Sequence, residues 1–256
     1  MTMLQVQVAE PVARLGFTLY TAQVSKETVS KGGMALPNSG NHPTPMSSST
    51  QGNSKEERIE RILDAALEVF SEFSFVDATT GEIAKRARVS KRDIYAYFPN
   101  KQALLMGIVV REMQRQDETF RQLIQRLEKL RSLRSKLEGI GLALVEEILS
   151  PRMGVVRRLV VSESINQPFL GDLFFEGGVA QRCKLITEVL ASHQKKKAAV
   201  KVATPDRAAQ RYLSSIAYFP STMIEIGLRA EWSDPVCKAH VVGETEVFLK
   251  AHPSFV

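Results

Sequence analysis

Apolar residues recur at helical spacing along most of the chain beyond residue 54, and clear alternating strand patterns are absent, which predicts an all-α protein. From about Lys55 to Phe73, the residues Ile59, Ile62, Leu63, Ala66, Leu67, Phe70 and Phe73 keep the i, i+3, i+4, i+7 spacing of one core face. The stretch Thr79 to Phe98, TTGEIAKRARVSKRDIYAYF, then breaks into two short helical pieces. Thr79 with Glu82 three residues on has the form of a capping box, and Ile83, Ala84 and Ala87 give the first piece a small apolar face. Ala87-Arg88-Val89 forms the turn. Ser90 is a good N-cap for the second piece, and Asp93 brings negative charge to its positive end. Ile94 and Phe98, four apart, point inward together, and Pro99 stops the helix.

Asn100 caps the next helix, which carries Leu104, Leu105, Ile108 and Val109 and joins the two halves. A stripe of Phe120, Leu123, Ile124, Leu127 and Leu130 follows, then a helix from Leu137 to Ile148 up to Pro151. RMGVVRRLVVSESI, a broken apolar region NQPFLGDLFFEGG, VAQRCKLITEVLASH and a basic loop at Lys195, Lys196 and Lys197 come next. The last two helices, about Pro205–Gly227 and Pro235–Lys250, are each introduced by proline. Residues 1–53 have a different character. Gly, Pro, Ser and Asn dominate from Gly32 to Asn53, which predicts a disordered extension. The first residues lack both a basic n-region and a continuous apolar h-region, so no secretory signal is expected, and Met46 offers a later start.

The net charge of +6 matters less than where it falls. Lys85, Arg86, Arg88, Lys91, Arg92 and Lys101 concentrate on the two short pieces and their flank, whereas the preceding helix is acidic, with Glu56, Glu57, Glu60, Asp64, Glu68 and Glu72. That is the footprint of a phosphate-binding surface. Two short helices around a three-residue turn make a helix-turn-helix, whose second helix can enter a major groove. Lys91, Arg92, Tyr95 and Tyr97 share the outer surface of that helix and are the expected DNA-contacting residues, with Thr79, Thr80 and Lys101 expected at phosphates. Arg92 is the best candidate for base readout, because a guanidinium pairs bidentately with guanine. Cys183 and Cys237 are too few for a disulfide framework or zinc site, the histidines show no ligand spacing, and Gly139-Ile140-Gly141 reads as helix packing. No metal, cofactor or catalytic residue is expected. With no apolar run near ~18 residues, no membrane span is expected either, and a reducing cytoplasm fits.

From Glu57 to about Val110 the chain resembles the DNA-binding domain of the TetR family of bacterial transcriptional regulators. The resemblance rests on RIERILDAALEVFSEF, Ile83-Ala84, Val89-Ser90-Lys91, Ile94-Tyr95-x-Tyr97-Phe98 and Asn100-Lys101-x-Ala103-Leu104, in that order and spacing. The chain departs from the family pattern at Arg88 and Ser74, where glycine is usual, and at Arg92, where many members have glycine. A non-glycine residue at a left-handed site costs on the order of 1 kcal/mol. Around RLVVSES, FFEGG and PDRAAQRYL the second half is loosely similar to the AefR-like subgroup.

Composition sets residues 1–53 apart as the disordered extension, and the resemblance implies a helix-turn-helix domain over 54–115 and an all-α effector-binding and dimerisation domain over 120–256. It implies a homodimeric repressor that binds double-stranded operator DNA and is released by a small-molecule effector, whose binding residues the sequence leaves unknown. The dimer is expected to form through Arg207–Ile226 and Val236–Leu249, with Ile216 and Val242 in mid-face. One alternative is an all-α enzyme with an accessory DNA-binding head, which calls for a catalytic pair or metal cluster in 120–256. The other is a protein-interaction module, against which the basic face with interleaved tyrosines argues.

Overall fold

The computed structural model describes residues 49–193, 204–228 and 232–255, with side chains from Lys55 onward. The expected extension up to residue 48, with Met46, and the basic loop at Lys195, Lys196 and Lys197 lie outside the described residues. Every regular element among the described residues is helical. In order these are α1 (Ser49–Glu72), α2 (Thr80–Ala87), α3 (Lys91–Tyr97), α4 (Lys101–Glu128), α5 (Leu133–Leu149), α6 (Pro151–Glu163) and α7 (Pro168–Phe174). A π-helical turn (Phe175–Ala180) leads into α8 (Gln181–His193), then α9 (Pro205–Glu225), α10 (Asp234–Ala251) and a closing 3-10 turn (Pro253–Phe255).

Two compact units divide at Val110 and Arg111. The dividing point lies inside α4, which runs unbroken from Lys101 to Glu128, so the stripe beginning at Phe120 continues the helix that carries Leu104. α1 starts at Ser49 rather than about Lys55, so residues 49–53 of the expected disordered extension are helical.

The first unit buries Ile62, Leu63, Ala66 and Phe70 from α1, Ile83, Ala84 and Ala87 from α2, Ile94 from α3, and Leu104, Leu105 and Ile108 from α4. Phe73 does not join them and is 46% exposed. The helix ends at Glu72, and Phe75 in the following turn folds back instead, its ring 5.4 Å from that of Phe70. Of the two sites where glycine was expected, only Arg88 is left-handed, at φ 54°. Ser74 instead closes the turn with its side chain, which accepts from the Asp77 amide and donates to the Asp77 carboxylate.

The second unit has a core built from α4, α5, α8, α9 and α10. Tyr212 lies at its centre, fully buried. Its hydroxyl donates to the Leu137 carbonyl at 2.7 Å and is bonded to the Thr245 hydroxyl at 2.9 Å. Burial pushes this phenol well above its ordinary pKa, so it stays a neutral donor. Gly141 lets α5 approach this point, since a Cβ there would lie 2.6 Å from Val241 Cγ1 and 2.9 Å from the Tyr212 oxygen. Ile216, expected in mid-face, is completely buried, as are Tyr212 and Val241. A charge at Ile216 therefore attacks the monomer core, and only Val242 of the expected pair is exposed.

Pro220 lies inside α9 and has no N–H to give the carbonyl four residues back, that of Ile216. His240 of α10 fills the gap, with Nε2 3.0 Å from the Ile216 oxygen, which fixes Nε2 as the protonated nitrogen. The ring of His240 is itself held edge-on to Trp232 at 5.2 Å. His240→Ala is expected to cost about 1–3 kcal/mol in chemical denaturation, because it orphans a carbonyl. In a Pro220→Ala background the helix supplies its own donor, so the same change should cost clearly less. Equal costs in both backgrounds would show that the imidazole contributes packing alone.

Candidate nucleic-acid interface

α2 and α3 form the helix-turn-helix, and its local geometry follows from three capping devices. Thr79 is extended, and its hydroxyl oxygen accepts from the Glu82 amide at 3.2 Å, which starts α2. Arg88 ends α2 in the left-handed conformation, with its amide turned back to the carbonyls of Ala84 and Lys85. Ser90 and Asp93 then form a reciprocal capping box. The Asp93 amide donates to Ser90 Oγ, and the Ser90 amide donates to Asp93 Oδ2, each at 3.0 Å. The hydrogen bonds from Ser90, helped by Arg58 and Arg92, hold the Asp93 carboxyl below its ordinary range, so it is ionised at the positive end of α3.

Ile94 and Phe98 are buried on the inner side, while Lys91, Arg92 and Tyr95 are exposed on the outer side. Tyr97 is half-buried and lies under the Lys55 ammonium, 5.9 Å from the ring centre. Thr80 and Tyr95 are joined hydroxyl to hydroxyl at 3.1 Å, so the second helix is braced against the start of the first. One of the two hydroxyl hydrogens serves that bond and the other is left to donate outward. Lys91 lies across the first turn of α2. A Cβ on Gly81 would come within 3.1 Å of Lys91 Cε and 3.3 Å of its nitrogen. The structure thus gathers an ammonium, one outward hydroxyl hydrogen and the amides of Thr80 and Gly81 at the start of an eight-residue helix. All are donors, and together they suit a phosphate oxygen.

Other basic side chains are already engaged. Arg86 holds Glu72 of α1 through both terminal nitrogens, at 2.6 Å for Nη1, and also meets Glu82 at 3.3 Å. That pairing raises the Arg86 pKa and lowers that of Glu72. Lys101 donates to the carbonyls of Val76 at 2.9 Å and Ala78 at 3.0 Å, above the ring of Phe75 at 4.8 Å. Two of its three hydrogens are therefore spent on the loop before α2. Of Thr79, Thr80, Lys91, Arg92, Tyr95, Tyr97 and Lys101, expected on one surface, the structure joins Thr80 to Tyr95 and sets Lys91 over the turn that Thr79 starts, while the parts played by Gly81 and Lys55 were not expected. Both depend on tertiary proximity, and neither belongs to a local pattern.

Three comparisons bear on the chain as a whole. Residues 62–107 match the family described as bacterial regulatory proteins, tetR family, and residues 135–252 match the AefR-like transcriptional repressor C-terminal domain. The HTH-type transcriptional regulator UidR of Escherichia coli K12 is 37% identical over 65 residues, which is 25% of this chain and 33% of UidR. The match thus spans about a third of that relative's length. A structure from Mesorhizobium loti MAFF303099 assigned to the TetR-family transcriptional regulators superimposes with a TM-score of 0.68 at 18% identity, covering 77% of this chain and 98% of the other. The flavonoid-responsive regulator FrrA gives a TM-score of 0.57 at 24% identity, with 77% and 98% covered. At these identities the two structures show the fold.

If Lys101 acts as a clamp, Lys101→Ala should lower unfolding free energy by about 1–3 kcal/mol, because two carbonyls lose a charged donor. Denaturant melts of the full chain measure this. An unchanged midpoint would show that the two carbonyls find water and that the clamp adds nothing.

Proposed function

The chain belongs to the TetR family of bacterial transcriptional regulators, and we propose that it is a homodimeric repressor released from operator DNA by a small-molecule effector. The observation that carries the reading is the side-by-side exposure of Lys91, Arg92 and Tyr95 on a helix whose opposite side is pinned by Ile94 and Phe98. Arg92 reads a base edge. Lys91, Thr80 and Tyr95 hold a phosphate against the start of α2, with Thr79 beside them. Tyr97 and Lys55 border the same surface. Lys101 acts through the loop that positions Thr79 and Thr80, with one hydrogen left for a phosphate. In this reading the helix-turn-helix domain spans residues 54–115 and the effector-binding and dimerisation domain follows from residue 120.

Dimerisation is supported by the apolar surface of α9 and α10. On α10, Val236, Ala239, Gly243 and Val247 follow one another at three- and four-residue steps, and all four are exposed. Nothing lies within 4 Å of where a Gly243 Cβ would be, so a second helix can approach closely there. Tyr218 and Phe219 of α9, 74% and 55% exposed, extend the surface. A symmetry-related copy would cover it and would set two recognition helices on two half-sites. An effector acts by preferring the conformation that does not bind DNA, and its leverage is limited by that preference. FrrA is described as flavonoid-responsive, which supports a small organic effector for this chain as well.

With an operator selected from random DNA, Arg92→Ala is expected to lose about 1–3 kcal/mol of operator affinity and little affinity for random sequence. Lys91→Ala should weaken both alike and flatten the salt dependence. Equal losses on both DNAs for Arg92→Ala would make it a phosphate contact, and no loss on either would remove α3 from the interface.

A further inference from the structure

Arg182, at the start of α8, is 3% exposed and carries an unfinished hydrogen-bond set. Nη1 donates to Asp117 of α4 at 3.0 Å, and Nε donates to Glu147 of α5 at 3.1 Å. The guanidinium lies on the ring of Phe120, 4.0 Å from its centre. Nη2 is buried and meets no hydrogen-bond partner among the described residues. A buried donor left unsatisfied on a charged group is costly, so the arrangement favours any acceptor that can reach it. The π-helical turn Phe175–Ala180 runs directly into the helix that carries Arg182, and such turns are frequent at binding sites.

We propose that Arg182 anchors the effector, and that the effector is an uncharged, mostly apolar molecule whose carbonyl or ether oxygen accepts from Nη2. This rests on the reading of the second unit as effector-binding. The charge balance selects the class. Two carboxylates already meet the single guanidinium, Asp117 at 3.0 Å and Glu147 at 3.1 Å. Asp117 meets Arg121 at 3.5 Å as well, but that arginine is well exposed and solvent-screened. An anion at Nη2 would therefore meet two carboxylates beside the one guanidinium, and would lose its hydration without gaining an unpaired cation there. A neutral oxygen satisfies the leftover N–H at no such cost. Because Arg182 also holds Asp117 of α4 and Glu147 of α5, an acceptor on Nη2 pulls directly on the residue that ties these helices together.

The test uses the full chain and three probes on one skeleton: 2-acetylnaphthalene with a neutral acceptor, 2-naphthoate with a negative charge, and 2-ethylnaphthalene with neither. Calorimetry should show the ketone binding roughly tenfold more tightly than either of the others, the effect of one hydrogen bond from a charged donor. A charge-balanced variant, Arg182→Met with Asp117→Asn and Glu147→Gln, should lose the preference for the ketone over the hydrocarbon while keeping its helical circular dichroism. Tighter binding of naphthoate, equal binding of ketone and hydrocarbon, no binding of any probe, or a preference that survives in the variant overturns the proposal. Should the variant not fold, the order of the three probes on the unaltered chain decides alone. DNA binding without ligand is measured in parallel, so its absence counts against the regulator reading and not against the choice of ligand class.

Discussion

A seven-residue helix does not hold itself together in water, since nucleation uses up most of what its few hydrogen bonds supply. The second helix of the helix-turn-helix, Lys91–Tyr97, exists because its ends and one side are fixed from outside. Ser90 and Asp93 satisfy its first amides, Ile94 anchors it in the core, and Phe98 closes it by donating its amide back to the Ile94 carbonyl. The left-handed Arg88 sets the angle at which the chain enters, and the Thr80–Tyr95 bond fixes the exit against α2. Loss of these constraints would leave the directions of Lys91 and Arg92 unset, and the proposed base readout by Arg92 requires a direction fixed in advance.

The same economy governs which charges are available. Of the basic residues that make the helix-turn-helix electropositive, Arg86 is held by Glu72 and Glu82, and Lys101 is occupied with two carbonyls. These two build the platform, while Lys91 and Arg92 face outward. Charge density along the sequence therefore overstates the contact surface. The acidic face of α1 is partly the reason, because Glu72 neutralises a residue that would otherwise count toward it.

Much of this was legible in the sequence, for physical reasons that can be named. N-caps and i, i+4 apolar pairs are local, so the helix start at Thr79, the Ser90–Asp93 box and the Ile94–Phe98 pair could be read directly, although at Thr79 only half of the expected box forms and the Glu82 carboxylate turns to Arg86. Phe73 could not, because helical spacing does not say at which residue the chain leaves the helix, and Phe75 took the core position instead. Ile216 shows the same limit at the level of packing. Period 3.6 marks an apolar face but does not say whether its own core or a second copy covers it, and here the core does. The bond from His240 to the carbonyl that Pro220 orphans joins residues in two helices, and no local pattern announces it. The ion-pair cluster proposed to anchor an effector was not legible at all, since Asp117, Glu147 and Arg182 come from three helices and carry no common spacing.

The proposed regulator requires two copies of Lys91–Tyr97 to read DNA as a symmetric pair. The direct measurement is selection of bound sequences from a random DNA library, followed by sedimentation of the complex with the enriched duplex. A symmetric pair predicts an inverted repeat with half-sites about one helical turn, or a multiple of it, apart, bound by two chains. It further predicts that Val247→Glu, on the 64% exposed residue of α10, gives a folded monomer that binds the same duplex far more weakly. Enrichment of no sequence, or of an asymmetric site bound by one chain with undiminished affinity in Val247→Glu, would contradict it.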